Sequence, residues 1–380
     1  MSQNFDYHKV DLNDLKEDIE AIEKEVVSDK KAPDQIKHLR KMEWWGRLSS
    51  LVGYLTLGLG VNPFAILGVA FGKSVRWMMI AHHVTHRGYD RVPGVPARYT
   101  SKKFAHGWRR YLDWLDWMPP KGWNKEHNVL HHYYLNERFD PDVVQHNTQV
   151  LRDSPLPYFA KLVAGFFMAC AWKIIYYAPS TTKTLLAPNP NYKNTNREHD
   201  RLYTRDLLNL PFSRLGRKLL RESYLPNILV YFVGVPLLFS LWSPEAGWSA
   251  LFNMLLAEVV TNLHSFVVVV PNHAGDDLYR FEGPAKGKGE FYLRQIIGSV
   301  NFPTGGDGND CLHGWLNYQI EHHVWPEMTM NQYQRAQPLL KKVCEKHGIP
   351  YIQESVFKRL VKLVQMMKPE HQMRVVEATS

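Results

Sequence analysis

Three short stretches concentrate histidine. "AHHVTHRGYD" carries His82, His83 and His86, "KEHNVLHHYYLN" carries His127, His131 and His132, and "NYQIEHHVWPEM" carries His322 and His323. These are eight of the chain's 18 histidines. Imidazole titrates near neutrality and is the commonest metal ligand, so the clusters point to one metal site assembled in space. His82 and His86 are four apart, as are His127 and His131, which puts each pair on one helix face, aimed at one point. His131–His132 and His322–His323 are adjacent and diverge by about 100° on a helix, an arrangement suited to two ions. His83 points off the His82/His86 face. Eight candidates exceed the three or four ligands of a zinc site. Imidazole-rich ligation of two ions suits iron or copper and redox chemistry. Cys170, Cys311 and Cys344 are far apart and form no C-x-x-C pair, so neither a disulfide framework nor a thiolate site is expected.

The elements that must position these histidines are largely apolar. The 380 residues are 45% hydrophobic and 13% aromatic, with a net charge of +9. Asp6 to Lys41 is charge-rich, lacks the apolar core of a signal peptide, and reads as amphipathic or solvated helix. From Trp44 to Ile80 the chain is apolar except for the turn "GVNP", giving either one span or a hairpin of two short arms. Basic residues precede this stretch (Lys37, Arg40, Lys41, Arg47) and follow it (Lys73, Arg76, Arg87). Both ends are therefore expected on the cytoplasmic side, as in a hairpin. A second hairpin runs from Leu225 through the turn "SPEAG" to Val270, with Trp242 and Trp248 bracketing the turn. Leu156 to Ala178 contains Lys161 and Lys173 and is expected to lie at the interface, as is "RLGRKLLRE" (Arg214 to Glu222).

The expected fold is thus an all-α membrane protein. Four transmembrane helices form two hairpins (44–80 and 225–270), and a cytoplasmic helical cap carries the histidines. Residues 1–43 form an N-terminal cytoplasmic helical segment, and 81–224 and 271–380 are the cytoplasmic regions. The protein is expected to be multi-pass, with both termini and the site on the cytoplasmic side. The positive charge reads as attraction to anionic membrane lipids. No zinc finger, ribonucleoprotein motif or GxGxxG is present, so no nucleic-acid partner is expected.

These clusters resemble the three histidine boxes of the membrane-bound fatty acid desaturases, H-x(3-4)-H, H-x(2-3)-H-H and H/Q-x-x-H-H. This chain supplies His82-x3-His86, His127-x3-His131-His132 and Gln319-x2-His322-His323. The third box, "NYQIEHHVWP", looks like that of front-end and related acyl-lipid desaturases, in which glutamine replaces the first histidine. "GWNKEHNVLHHYYLNERFDPDVV" and "LLKKVCEKHGIPY" are similar to further family segments, so the likeness runs in order from Met42 to Tyr351. The resemblance implies a di-iron centre that uses O2 to remove two hydrogens from a fatty acyl chain linked to a lipid, CoA or a carrier protein. It also implies a separate electron donor such as ferredoxin or cytochrome b5, since no fused "HPGG" haem segment is present. A further ligand is implied after the fourth helix. His273 in "VVPNHAGDD" is the candidate and His264 the alternative.

Around the boxes, carboxylates such as Asp140 are candidates to orient imidazoles through their second N–H. Asn128 is a candidate to hydrogen-bond a ligand. Gln319 is expected to hold a water or a neighbouring imidazole, because an amide is a poor iron ligand. Two rival readings remain: a hydroxylase or ketolase on the same scaffold, and a histidine-rich membrane metal transporter.

Overall fold

The structure, a computed structural model, describes residues 5–29, 34–189, 206, 209 and 212–377. Its regular structure is almost entirely helical. Among the described residues the only strand pairing longer than an isolated bridge is a short parallel one between Tyr279–Phe281 and Arg374–Val376. Helix α1 (Leu12–Ser28) is capped by Asp11, whose carboxylate accepts from the Asn13 and Asp14 amides. Leu15, Ile19, Ile22 and Val26 recur at helical spacing and are buried.

Helix α2 (Gln35–Thr56) packs along helix α3 (Pro63–Thr85), with Asn62 capping α3 by accepting from the Ala65 amide. Small residues let the two backbones approach closely. A Cβ added at Gly53 would lie 2.6 Å from the Val69 amide nitrogen, and one at Gly68 would lie 2.7 Å from the Ser49 carbonyl oxygen. Helix α3 passes through π-helical turns at Val75–Ala81 before delivering His82. The next site helix, α4, begins at Pro120–Trp123 and continues as π-helical turns over Asn124–His131. Such turns are rare and concentrate at functional sites.

Among the described residues, helices α5 (Tyr158–Leu186), α6 (Arg214–Ser240) and α7 (Pro244–His273), with α3, are the four long and apolar enough to cross a membrane. This set differs from the expected four. The first arm, α2, carries too much charge before Trp44 to qualify, and α5 qualifies although Lys161 and Lys173 suggested an interfacial segment. Both lysines are internally satisfied: Lys161 donates to the Arg152 carbonyl, and Lys173 lies 2.6 Å from the Asp116 carboxylate. Ala171 breaks the α5 backbone (φ −137°, ψ 15°), and the Lys173 amide is taken up by the Asn262 side chain of α7 at 2.9 Å. The basic "RLGRKLLRE" is the first part of the long helix α6 and not a separate helix.

Beyond α7 the chain forms α8 (Lys288–Ile297), the short α9 (Gln319–Val324), α10 (Met330–Lys346) and α11 (Val356–Gln365). Helix α1 packs on α8 and α10, and α9 is held between them. One continuous core joins α1, the end of α3, α8 and α10. The third histidine pair therefore sits inside the molecule.

Candidate metal centre

The end of α3, the π-helical turns of α4, the end of α7 and the short α9 converge on one buried point. Ligand atoms of His82, His86, His127 and His322 all lie within 4.8 Å of one another, and those of His131, His273 and His323 do the same. The two groups are neighbours: the His131 and His127 rings are 5.2 Å apart and nearly parallel. His132 belongs to neither group but lies between them, its ring centroid 4.4 Å from both His86 and His323. All eight imidazoles are buried.

Helical geometry explains the division. His322 and His323 are adjacent and diverge, one to each group. His82 and His86 share a group, as their spacing predicts. His127 and His131 do not, contrary to the expectation that they aim at one point. Their rings stack along the helix, and a displacement of about one turn, roughly 5 Å, brings each to a different group.

The partners of the outer nitrogens fix the tautomers. His131 Nδ1 donates to Asp140 Oδ1 at 3.0 Å. His323 Nδ1 donates to Gln295 Oε1 at 3.0 Å, with the Gln295 amide oriented by its own donation to the His132 carbonyl. His322 Nδ1 donates to the Tyr333 hydroxyl at 3.1 Å, and that hydroxyl donates onward to the Trp325 carbonyl. His273 Nδ1 faces the Gly298 carbonyl at 3.4 Å. Each of these rings is left with a bare Nε2 lone pair pointing inward.

Those lone pairs face one another. His323 Nε2 is 3.3 Å from His273 Nε2, and His322 Nε2 is 2.9 Å from His82 Nε2, which is itself 3.2 Å from His127 Nε2. Among the described residues, His86 Nε2 and both nitrogens of His132 are buried without a partner. The Gln319 NH2 can donate to His273 and His323, but lone pairs facing each other at such distances otherwise repel, and a cation satisfies several at once. The donor set therefore fits two metal ions, one per group, with His132 placed to serve either. Burial, then the repulsion between neighbouring imidazoles, pushes His127, His132, His322 and His323 well below the ordinary histidine range. They are neutral at pH 7, as metal ligation requires. His131 differs: burial opposes its charge, but the Asp140 carboxylate outweighs that and raises it.

The remaining sequence candidates separate clearly. His83 donates through Nδ1 to the Met79 carbonyl at 2.7 Å and stands outside both groups. Both nitrogens of His264 are engaged, by Ser74 Oγ at 3.1 Å and the Leu312 carbonyl at 2.7 Å, whereas His273 lies within the second group. Asn128 ties α4 to the end of α3 by donating to the Thr85 carbonyl at 2.9 Å, so it touches the first histidine stretch through its backbone. Gln319 Nε2 lies 2.8 Å from His273 Nε2 and 3.2 Å from His323 Nε2, beside two imidazoles. Of the carboxylates near the boxes, Asp140 orients a histidine, whereas Glu126 is tied to Ser180 and Thr184 on α5. Gln295 and Tyr333, which hold His323 and His322, are missed by sequence reasoning. They carry no local motif and meet the histidines only through the fold.

An apolar cavity of about 450 Å³ ends at this point. His82, His127, His131, His273 and Gln319 form its polar end, while α5, α7 and α11 supply apolar walls, among them Trp172, Phe266 and Leu363. Its size is that of a site for a small organic ligand.

The fatty acid desaturase family model matches residues 57–355, most of the chain. The NADPH-dependent stearoyl-CoA 9-desaturase of Mycobacterium tuberculosis is 26% identical over 317 residues, covering 82% of this chain and 64% of that protein. The chain thus spans somewhat less than two thirds of that relative's length. The acyl-lipid (9-3)-desaturase of Physcomitrium patens is 30% identical over 122 residues, 32% of this chain and 22% of that protein. The Delta(8)-fatty-acid desaturase 1 of Arabidopsis thaliana is 26% identical over 142 residues, 37% of this chain and 30% of that protein. With three histidine stretches gathered around one buried point and the family pattern running through most of its length, the chain belongs to the fatty acid desaturase family.

Proposed function

We propose that the protein is an O2-dependent fatty acyl desaturase that forms a cis double bond at a di-iron centre. The observation that carries this reading is the pairing of two imidazole groups with the polar end of an apolar cavity. His82, His86, His127 and His322 would hold one iron and His131, His273 and His323 the other, with His132 between them. Iron bound there would supply, with O2 and electrons from a separate carrier, the oxidising power to remove two hydrogens from an unactivated acyl chain.

The protein's own part is positional. Asp140, Gln295, Tyr333 and the Gly298 carbonyl fix the rings, so the ligand geometry precedes metal arrival. Trp172, Phe266 and Leu363 exclude water from the acyl chain and hold its methylenes against the polar end. Gln319, beside His273 and His323, orients them. The acyl chain would arrive linked to a lipid, CoA or a carrier protein. The name of the M. tuberculosis relative supports an acyl-CoA substrate and NADPH as ultimate reductant; the carrier between NADPH and this chain would be ferredoxin or cytochrome b5.

Topology follows from the same convergence. The second and third histidine stretches meet in space, so the chain crosses the membrane an even number of times between them. With α6 and α7 crossing, α5 does not, and it lies along the interface with one wall on the cavity. By the positive-inside rule, the basic flanks of the first hairpin would put both termini and the site on the cytoplasmic side.

Expression in a host lacking desaturases, followed by gas chromatography of its fatty acids, tests the reading. A new cis-unsaturated acid is the expected product. A hydroxylated or keto acid in its place would assign the protein to the oxygen-inserting branch of the same chemistry.

A further inference from the structure

A second cavity, of about 570 Å³, lies apart from the histidines between the first hairpin and the loop over residues 98–113. Four arginines line it: Arg47 from α2, Arg76 from α3, and Arg98 and Arg109 from the loop. Only two carboxylates, Glu43 and Asp113, share the lining. Glu43 accepts from Arg47 at 2.7 Å and from Arg98 at 3.1 Å, and Asp113 holds Arg109 in a two-pronged contact at 2.7 and 2.9 Å. Arg76 makes no hydrogen bond or ion pair among the described residues, although it is partly buried and lies within the apolar helix α3. Four guanidiniums against two carboxylates leave the lining with a formal excess of two positive charges.

The Arg76 guanidinium is half-buried, lines the cavity and is not bonded to a carboxylate among the described residues, so it is open to an anion entering there. Arginine's planar fork matches phosphate oxygens in particular. The lips of the cavity are apolar and exposed. Leu51 is 53% exposed and continues the Leu48, Val52 and Leu55 face of α2, while Leu112 and Trp108 on the loop are 59% and 69% exposed. A ligand for this site is therefore anionic at one end and apolar at the other. We propose that the cavity binds the phosphodiester headgroup of an anionic membrane lipid, its tails lying along Leu51 and Leu112. None of its lining residues is shared with the acyl cavity, so this lipid is not the molecule that meets the histidines.

The test uses the full chain, purified and delipidated in an uncharged detergent. Phosphatidylglycerol, phosphatidylcholine or inorganic phosphate is added back, and the unfolding midpoint and the lipid retained in native mass spectrometry are read. Phosphatidylglycerol is expected to raise the midpoint by several degrees and to persist as an adduct, since a ligand of the folded state stabilises it. Arg76→Gln should need at least about tenfold more phosphatidylglycerol for half the shift, the loss expected for one charge-assisted contact. Lys102→Gln, an exposed lysine outside the lining, should respond as the parent does and so measures unspecific attraction. Should Arg76→Gln fail to fold, Arg109→Gln is read in its place with the same expectation. An unchanged response in the arginine variant, or an equal response to phosphatidylcholine, overturns the site. A full shift with inorganic phosphate alone overturns the lipid as its occupant.

Discussion

Asp140→Asn removes a charge with almost no change of shape, and its consequences can be worked out from the contacts of the carboxylate. Asp140 is buried and accepts three N–H groups: His131 Nδ1 and the Asp142 amide at Oδ1, and the Asn136 amide at Oδ2. An asparagine with its carbonyl at the Oδ1 position keeps the first two and turns its NH2 against the Asn136 amide. The opposite rotamer keeps only Asn136. The better choice still strands one buried donor, which costs about 1–3 kcal/mol of stability. Asn136 sits in the left-handed region (φ 57°), so this turn has little freedom to find another partner. The second effect falls on the metal. The carboxylate is what raises His131 against its burial, and without it the ring is a weaker donor to iron. Loss of such an outer partner typically costs about 10–100-fold in metal affinity or activity. Iron affinity by competition with a chelator, alongside the unfolding midpoint of the metal-free protein, reads the two effects separately. Unchanged iron affinity in a folded Asp140→Asn protein would refute the claim that Asp140 orients a ligand.

Other consequences are as direct. Ala169→Trp fills the acyl cavity from α5, which supplies no ligand atom, so it should lower turnover at least about tenfold while iron content stays at the parent level; lost iron would show that the wall and the metal site are not separable. Gly53→Val brings a side chain onto the Val69 amide and should destabilise the first hairpin by about 1–3 kcal/mol, read by thermal unfolding; an unchanged midpoint would mean that the close approach is absent. The metal-free protein should lose stability as pH falls. His127, His132, His322 and His323 are shifted down in the folded state, so below about pH 6.5 the unfolded chain binds more protons and is favoured, by on the order of 1 kcal/mol per pH unit for each ring. A midpoint that stays flat from pH 7.5 to about 5.5 would show that these imidazoles are not held neutral by burial.

Legibility in the sequence tracked how local each interaction is. The arms of α6 and α7 stand out because apolar runs, the "SPEAG" turn and flanking tryptophans all lie within one stretch. Helix α5 was harder, since Lys161 and Lys173 argue against burial until their partners are known, and Asp116 is 57 residues from Lys173. The start of α2 was obscured by the charges before Trp44. Within the site, the i, i+4 and adjacent spacings marked the histidines that converge on the buried point, and the divergence of His322 and His323 follows from helix geometry alone. The separation of His127 from His131 does not, because both share a face and only the positions of α7 and α9 decide which group each ring meets. Gln295 and Tyr333 were invisible for the same reason: an amide on α8 and a phenol on α10 acquire their roles only when α9 is inserted between them. The choice between His264 and His273 also needed three dimensions, where Ser74 and the Leu312 carbonyl occupy the nitrogens of the former.

The functional reading stands or falls on whether seven imidazoles in two groups, with His132 between them, hold two irons. Metal analysis of the full-length protein, prepared above about pH 7 so that the ligands stay unprotonated, decides this. Close to two irons per chain and little zinc are expected, with His322→Ala and His323→Ala each lowering the iron content while the protein still inserts into the membrane. A single zinc per chain with no iron, or full iron retention in both variants, would contradict it.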